Sequence, residues 1–210
     1  MTEPRIFLVD DQPAVLKALA RLLKAAGFEV VTFDSAQAFL DSGNATQPGC
    51  LILDLSMPGM NGLALQQALS QCASLLPLIF LTGHGDLQSG IHAMKLGAAD
   101  FLTKPVDEAR LISAVQLALA SNLRQRQEHL ERELIMQRLA SLTPREREVL
   151  DLLIEGWLNK QVAAELGTVE KTIKVHRAHV MAKMQVRSLT QLVRMVDLVR
   201  HSRHPTTNPI

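Results

Sequence analysis

The chain has 210 residues, 22 lysines and arginines against 21 aspartates and glutamates, and 47% hydrophobic residues. This length allows one large or two small domains, and the apolar fraction is ordinary for globular proteins. No apolar run has the length of a membrane span and the N-terminus lacks a signal-peptide pattern, so we expect a cytoplasmic protein that does not enter membranes. The two cysteines, Cys50 and Cys72, are too few for a disulfide framework and lack zinc-site spacing, and we expect both to be buried thiols.

Charge is unevenly distributed along the chain. Residues 1–120 carry a net charge of −4, residues 121–142 carry +1 and residues 143–210 carry +4. An acidic first part and a basic last part indicate two modules that bind different partners.

Strand and helix patterns alternate through the first 120 residues. Short apolar runs typical of buried strands lie near residues 6–9, 29–33, 50–54, 77–82 and 100–103, and amphipathic helical patterns follow each of them. Five such units predict an α/β fold, a flavodoxin-like doubly wound parallel sheet with helices on both faces. We assign residues 1–121 to this domain.

Four of the predicted strands end in, or lead directly into, polar residues, and a parallel sheet brings these strand ends to one edge. They are Asp10, Asp11, Asp54, Thr82 and Lys104. Clustered carboxylates repel one another, and a hard divalent cation, Mg²⁺ or Mn²⁺, relieves that repulsion. The expected ligands are Asp11, Asp54, the backbone carbonyl of Ser56 and, through water, Asp10.

The predicted chemistry of this cluster is phosphoryl transfer. Asp54 would attack phosphorus as a carboxylate nucleophile, while the cation and Lys104 balance charge on the transferring group. Thr82 would then hydrogen-bond a phosphoryl oxygen. The alternative for Asp54 alone is that it caps the helix that follows its strand.

Five motifs in order and at the right spacing resemble the receiver domain of bacterial response regulators. They are Val9-Asp10-Asp11, Leu53-Asp54-Leu55-Ser56-Met57-Pro58-Gly59-Met60-Asn61-Gly62, Leu81-Thr82-Gly83-His84-Gly85-Asp86, Gly97-Ala98-Ala99-Asp100-Phe101 and Lys104-Pro105. The resemblance implies that a sensor histidine kinase phosphorylates Asp54 and that the Lys104–Pro105 bond is cis. It also implies that Thr82 and Phe101 form a switch pair, whereas the alternative for Phe101 is plain strand packing.

Two enzymatic readings of this domain lack residues that they need. A phosphatase of the haloacid-dehalogenase type needs a second aspartate two residues after the nucleophile, and position 56 is serine. A nucleotide-binding fold needs a glycine-rich loop after the first strand, and here that loop is acidic. We therefore expect no enzyme beyond self-catalysed phosphotransfer to Asp54 and its hydrolysis.

The segment 122–140 follows without a glycine or proline and predicts a helical linker. The last receiver helix would continue as one helix to about Leu139. A short coiled coil through Leu123, Leu130 and Leu134 is the alternative, although Gln127 and Gln137 interrupt its seam.

Residues 141–203 have the pattern of a four-helix domain with a helix-turn-helix. Thr143, Pro144 and Glu146 form a helix-start signal, and Gly156 ends that helix. Asn159 would cap a second helix from Lys160 to Leu166. After the glycine turn at 167 a third, basic helix follows, for which we expect Val169, Ile173, Val180 and Met184 to point inward. A basic helix alone would more often be only a solvated face.

This segment resembles the LuxR-type DNA-binding domain. Matching runs are Leu142-Thr143-Pro144-Arg145-Glu146, Asn159-Lys160-Gln161-Val162-Ala163, Thr172-Ile173-Lys174-Val175-His176-Arg177 and Lys183-Met184. The expected DNA contacts are Lys160, Lys171, Thr172, Lys174, Val175, Arg177, Ala178, His179 and Lys183. A final helix from Leu189 to Val199 would form the DNA-bound dimer contact, and residues 204–210 would be a disordered tail.

Together the halves resemble the FixJ/NarL class of response regulators, nearest to the FixJ type. The class implies that phosphorylation at Asp54 promotes a homodimer, which binds double-stranded promoter DNA and engages RNA polymerase. A departure is Gln88-Ser89-Gly90, where FixJ-type proteins usually have Pro-Met-Ala; glycine in a first helical turn costs roughly 0.5–1 kcal/mol relative to alanine. The alternative function is a constitutive DNA-binding transcription factor whose receiver does not need phosphorylation.

Overall fold

The computed structural model describes residues 3–83 and 87–200 of the chain. The loop residues His84, Gly85 and Asp86 and the expected disordered tail 204–210 lie outside the described residues. Backbone contacts divide the chain into two compact units, residues 1–127 and 128–210.

The first unit contains five parallel strands in the order β2-β1-β3-β4-β5. The strands are β1 (Arg5–Val9), β2 (Val30–Phe33), β3 (Gly49–Asp54), β4 (Leu78–Thr82) and β5 (Asp100–Thr103). The helices that follow them are α1 (Pro13–Ala25), α2 (Ala36–Asp41), α3 (Gly62–Gln71), α4 (Leu87–Lys95) and α5 (Glu108–Ala140), with a short 3₁₀ turn at Asn44–Thr46. This confirms the predicted doubly wound fold.

The three central strands, β1, β3 and β4, are buried on both faces because they are apolar at nearly every position, whereas the edge strands β2 and β5 are mostly half-buried. In β3, Leu51 and Leu53 pack into one hydrophobic cluster, while Cys50 and Ile52 pack into a second cluster. This alternation follows from the two-residue period of a strand, and it explains why consecutive residues of β3 are apolar up to its last residue, Asp54. Cys50 is the buried thiol that we expected, but Cys72 lies exposed after the last residue of α3, so that expectation was wrong for Cys72.

Strand register brings the functional strand ends to one level. Val9 pairs with Leu53, Asp54 with Leu81, and Thr82 with Thr103. The residues that come next along β1 and β5 are Asp10 and Lys104. Parallel pairing therefore gathers residues that are far apart in the sequence at the carboxyl edge of the sheet.

Helix α5 is one continuous helix of 33 residues that crosses the boundary between the two units. Within the first unit its Asn122 is buried, accepts from the Gly49 N–H at 3.0 Å and donates to the Leu75 carbonyl. Arg126 donates to Asn122 Oδ1 at 3.1 Å and to the Thr46 carbonyl. The middle of α5 is thus hydrogen-bonded to the amino-terminal edge of the sheet.

The second unit is helical and contains α6 (Pro144–Ile154), α7 (Asn159–Glu165), α8 (Glu170–Lys183) and α9 (Leu189–Arg200). Ile135 and Leu139 at the end of α5 pack into its core with Val180 and Leu192. The predicted cap at the start of α6 is confirmed, because Glu146 N donates to Thr143 Oγ1 at 3.3 Å and Thr143 N donates to Glu146 Oε2 at 2.8 Å.

Two details of the helix-turn-helix differ from the expectation. Asn159 is the first residue of α7, and the preceding Leu158 N–H donates to Gln161 Oε1 at 2.8 Å. Val169 is 64% exposed rather than inward-facing, because it is the extended N-cap residue of α8 and lies outside its helical periodicity. Ile173, Val180 and Met184 are fully buried as expected.

Candidate functional site

The candidate site in the first unit is an acidic cluster at the carboxyl edge of the sheet. Asp10 and Asp11 follow β1, and Asp54 is the last residue of β3. One carboxylate oxygen from each lies within 4.8 Å of the others. Asp10 and Asp54 are only 1% and 5% exposed, so two of these charges are largely removed from water.

Lys104, the first residue after β5, lies between two of the three carboxylates. Its Nζ is 2.6 Å from Asp10 Oδ2 and 2.9 Å from Asp54 Oδ1. Its backbone N–H donates to the Thr82 carbonyl at 2.7 Å, and the bond to Pro105 is cis, as the resemblance implied. Asp10 Oδ1 also accepts from the Gln12 N–H at 2.9 Å. Strand pairing and side-chain hydrogen bonds together hold the ammonium in place.

The electrostatics of the cluster favour uptake of further positive charge. Burial raises the pKa of Asp54, and the hydrogen bond and charge of Lys104 oppose that rise without cancelling it, while the charges of Asp10 and Asp11 add to it. Burial lowers the pKa of Lys104, but its hydrogen bonds to Asp10 and Asp54 outweigh this effect and the net pKa is raised. Lys104 therefore keeps its positive charge, and the three carboxylates together carry more negative charge than this one ammonium balances.

The donor set fits a hard divalent cation. Three carboxylates and one ammonium leave a formal charge of −2, and Asp11 Oδ1 is buried without a hydrogen-bond partner in the described part of the chain. Mg²⁺ and Mn²⁺ prefer carboxylate, carbonyl and water oxygen. The Asp11 oxygen is the atom that such an ion would satisfy.

The loop after β3 contains a close contact that the sequence analysis did not single out. A Cβ on Gly62 would lie 2.7 Å from the Asp54 carbonyl oxygen and 2.9 Å from the Phe80 ring. The Gly62 N–H donates to the Leu55 carbonyl at 3.0 Å. Only glycine fits here, so this residue holds the backbone that presents Asp54. Its place in the matching motif was the signal available.

The two expected switch residues lie on neighbouring strands. Thr82 is 2% exposed, and its Oγ1 donates to the Gly83 carbonyl at 3.2 Å. Phe101 is half-buried and packs against the hydrophobic cluster that contains Phe80, with which it pairs across β4 and β5. Both the switch role and simple strand packing are compatible with these contacts.

The expected DNA-binding residues lie mainly on the solvent side of α7 and α8. Lys160, Lys171, Lys174, Val175, Ala178 and His179 are exposed, and Thr172, Arg177 and Lys183 are half-buried. Ile173 and Val180 occupy the opposite, buried side of α8. The helix thus presents a basic face away from its own core, as a recognition helix must.

Several of these cations already have partners within the second unit. Lys174 Nζ is 3.1 Å from Glu170 Oε1, and Arg177 donates to Asn159 Oδ1 at 3.2 Å. Lys183 Nζ is 2.6 Å from Glu146 Oε2 and donates to the Ser141 carbonyl at 3.1 Å. The Lys174 pair is exposed and contributes little, whereas the Glu146 carboxylate is buried.

Glu146 belongs to the predicted helix start and to a LuxR-type motif, but neither pattern indicates its contacts with α8. It is 4% exposed, and His179 Nδ1 lies 3.7 Å from its second oxygen. The hydrogen bond from Lys183, with that from the Thr143 backbone, lowers the pKa of Glu146 to about 2, against the opposing effect of burial. This carboxylate ties α6 to the end of α8, a contact between residues 37 positions apart that no local pattern reveals.

Comparisons with known proteins identify both units. Residues 6–116 match the response regulator receiver domain, and residues 140–196 match the bacterial regulatory proteins of the luxR family. No helix in the described residues is long and apolar enough to cross a membrane.

Several full-length relatives cover nearly the whole chain. The transcriptional regulatory protein FixJ of Azorhizobium caulinodans is 43% identical over 92% of this chain and 92% of its own length. The response regulator protein TodT of Pseudomonas putida is 42% identical over 94% of this chain and 87% of its own length.

Two solved structures also cover nearly the whole chain. The response regulator StyR has a TM-score of 0.85 and 45% identity over 93% of this chain and 99% of its own. Full-length FixJ from B. japonicum has a TM-score of 0.59 and 40% identity over 96% of this chain and 99% of its own. The chain belongs to the two-component response regulators that join a receiver domain to a LuxR-type DNA-binding domain and regulate transcription.

Proposed function

We propose that Asp54 is the phosphoacceptor through which a sensor histidine kinase controls this regulator. The observation that carries the proposal is the position of Asp54 at the end of β3, 2.9 Å from Lys104 Nζ and beside Asp10 and Asp11. One carboxylate oxygen would attack the phosphorus of a phosphohistidine as the P–N bond breaks, and the nitrogen leaves with its electron pair.

Mg²⁺ or Mn²⁺ would be held by Asp11, Asp54 and the Ser56 carbonyl, with Asp10 acting through water. When bound, the ion supplies positive charge to the transferring phosphoryl oxygens. Lys104 supplies a second positive charge from a fixed position, and Asp10 orients that ammonium through its 2.6 Å contact. Thr82 would donate its hydroxyl to the phosphoryl group after transfer, and Phe101 would move inward with it. Beyond this self-phosphorylation and its hydrolysis, the proposal includes no enzyme activity.

In the second unit we assign DNA contacts to α8 and the start of α7. Lys174 and Val175 would reach base edges in the major groove, the lysine at guanine O6/N7 and the valine at a thymine methyl. Nearer the rims of the groove, other residues would contact phosphates: Lys160, Thr172, His179 and Lys183. The remaining contacts would come from Lys171, Arg177 and Ala178.

Phosphorylation would favour a homodimer whose two recognition helices bind a two-fold promoter site, with α9 at the dimer contact. The bound dimer would act on RNA polymerase. As a regulator of transcription, the protein would work in the cytoplasm. We assign residues 1–121 to the receiver, 122–140 to a helical linker and 141–203 to the DNA-binding domain.

The test is labelling by a small phosphodonor. Acetyl phosphate with Mg²⁺ should label the wild-type chain, and Asp54→Asn should abolish labelling, because an amide cannot act as the nucleophile. Asp41→Asn, which changes an exposed acid at the end of α2, should label normally. Labelling that persists in Asp54→Asn would overturn the assignment. Equal DNA affinity with and without labelling would instead support constitutive DNA binding.

A further inference from the structure

The turn between α7 and α8 is bound by a side chain from α6. The Arg145 guanidinium donates from Nη2 to the Leu166 carbonyl and from Nη1 to Glu148 Oε2 at 2.7 Å. Leu166 is the C-cap residue of α7, and Gly167 after it has a φ of 63° and turns the chain towards α8. Arg145 therefore links α6 to the turn that precedes the helix to which we assign the base contacts.

The Leu166 carbonyl is a natural acceptor for a cation because it lies at the end of a helix. In this turn the Thr168 N–H donates to the Ala163 carbonyl at 2.9 Å, and the Gly167 N–H donates to the Ala164 carbonyl at 3.3 Å. The last carbonyls of a helix have no partner within it, and the helix dipole favours positive charge there. The backbone bonds of the turn use the two earlier carbonyls, and the guanidinium satisfies that of Leu166.

The next residue of α6 contacts the other end of α8. Glu146 Oε2 lies 2.6 Å from Nζ of Lys183, the last residue of that helix. Two consecutive residues of α6 thus contact the turn before α8 and the residue that ends it. Lys174 and Val175, to which we assign base contacts, lie between these two points. The orientation of α8 relative to α6 therefore depends on both contacts.

We propose that Arg145 is a positioning residue that fixes the turn between α7 and α8 and so aligns α8 with the base edges of its DNA site. Base contacts require one orientation of the helix, whereas phosphates recur along the whole backbone and tolerate displacement. Loss of the Arg145 bond should therefore weaken specific binding more than binding to unrelated DNA. The exposed pair with Glu148 orients the guanidinium but contributes little to stability. This inference rests on the proposed reading of DNA by α8.

Two other roles for Arg145 predict different results. If the guanidinium contacted a DNA phosphate, its removal would weaken binding to all sequences alike and reduce by about one unit the salt slope, the dependence of the logarithm of affinity on that of salt concentration. If it only stabilised the fold, its removal would lower the urea midpoint of Trp157 fluorescence and leave the folded protein's discrimination between DNA sequences unchanged. Salt slope, urea midpoint and discrimination therefore separate the three roles.

The experiment compares Arg145→Gln with a matched control, Arg147→Gln, in the full chain. Both substitutions remove one positive charge from α6, but Arg147 is exposed and its Nε lies 3.9 Å from Asp151 Oδ2 of the same helix. With acetyl phosphate and Mg²⁺ present, affinity would be measured at several salt concentrations for a DNA fragment selected by the wild-type protein and for an unrelated fragment of the same length. The amide resonance of Gly167 reports on the turn, because this amide shares a peptide group with the Leu166 carbonyl.

We expect Arg145→Gln to shift the Gly167 resonance and to lower the ratio of specific to unrelated affinity several-fold, with an unchanged salt slope. Arg147→Gln should leave the resonance and the ratio at their wild-type values. An unchanged ratio, an equal loss of affinity for both fragments, or the same changes in Arg147→Gln would overturn the inference. A salt slope reduced by about one unit in Arg145→Gln alone would assign the guanidinium to a phosphate and also overturn it.

Arg145→Lys decides the case in which Arg145→Gln folds poorly. An ammonium keeps the charge and can donate to the Leu166 carbonyl, but it lacks the planar fork that also binds Glu148. This variant should still shift the Gly167 resonance and lower the affinity ratio. A change in only one of these quantities, or in neither, would overturn the inference. Lys174→Ala is measured in the same series, and if it keeps full base discrimination, the proposed reading of DNA by α8 fails instead.

Discussion

Lys104 in the first unit lies between two of three clustered carboxylates, whereas Lys183 in the second unit contacts a single buried carboxylate, that of Glu146. The receiver cluster has more negative charge than its lysine balances, and there burial raises the pKa of Asp54. In the second unit one lysine meets one carboxylate, and its hydrogen bond holds the pKa of Glu146 at about 2. The same functional groups thus form a cluster with excess negative charge in the first unit and a balanced ion pair in the second.

The two clusters also differ in whether their carboxylate oxygens have partners. Asp11 Oδ1 has no hydrogen-bond partner in the described residues, while both oxygens of Glu146 have neighbours: Lys183 and the Thr143 N–H at one, and His179 at the other. A buried acceptor without a partner is costly unless something binds it. Excess charge together with an unpaired oxygen therefore distinguishes a binding site from a structural ion pair.

The largest effect is expected from a substitution in the acidic cluster of the receiver. Asp11→Ala removes the unpaired oxygen and one negative charge, so Mg²⁺ affinity and the rate of acetyl phosphate labelling should fall together, each by at least about tenfold, or 1.4 kcal/mol. Mg²⁺ titration and radiolabelling measure the two quantities. Asp41→Ala, at an exposed site in α2, should change neither, and an unchanged Mg²⁺ titration in Asp11→Ala would place the cation elsewhere.

The next prediction concerns a substitution that breaks the ion pair between Glu146 and Lys183. Glu146→Gln keeps the shape of the side chain but leaves Lys183 without its counter-charge, so the free energy of unfolding of the second unit should fall by about 1–3 kcal/mol. Urea unfolding followed by fluorescence of Trp157, the single tryptophan, reports on this unit. Glu148→Gln breaks the exposed pair with Arg145 and should cost about 0–1 kcal/mol. Equal losses in the two variants would mean that burial adds nothing to the Glu146 pair.

The same pair predicts a pH dependence. The pKa of Glu146 is lowered on folding from 4.5 to about 2, so its stabilising contribution is full above pH 4.5 and is lost as the pH falls through 2. The difference in unfolding free energy between the wild-type chain and Glu146→Gln should therefore shrink over this range. A difference that stays constant from pH 5 to pH 2 would contradict the ion pair.

The last predictions separate base reading from anchoring at the DNA. Lys174→Ala should cost about 1–3 kcal/mol and relax specificity at one base pair. Lys183→Ala should weaken binding to all sequences alike and reduce the salt slope by about one unit. Binding would be measured at several salt concentrations on a selected fragment and on its single-base variants. If Lys183→Ala leaves the salt slope unchanged and lowers DNA affinity by the same factor as Glu146→Gln, Lys183 positions α8 and does not contact phosphate.

Much of this architecture could be predicted from local patterns. The apolar runs indicated the strands, and the acids and lysine at or directly after their carboxyl ends indicated the cluster, because parallel strands end at a common edge. Thr143, Pro144 and Glu146 indicated the start of α6 through a spacing of three residues. These features depend on residues that are close in sequence or on a rule of topology.

The rest depends on contacts between distant residues. The Glu146–Lys183 pair joins two helices, and the Arg145–Leu166 hydrogen bond joins a helix to the turn before another, so neither has a local signature. The prediction for Val169 was wrong because hydrophobic periodicity was extended by one residue beyond the helix, to a cap whose side chain points to solvent. Periodicity identifies the face of a helix but not the residue at which the helix begins.

The hydrogen bonds of Asn122 have a practical consequence for dissecting this protein. A receiver fragment that stopped at residue 121 would leave the Gly49 N–H and the Leu75 carbonyl without their side-chain partner. The Gly49 bond is buried, whereas the Leu75 bond is part-buried, and an unsatisfied buried group costs roughly 1–3 kcal/mol, which is a large part of the stability of a small domain. A fragment that ends after Arg126 keeps both bonds and also the contact to Thr46. Work on the isolated receiver would therefore begin from the longer fragment, even though the added residues look like part of a linker.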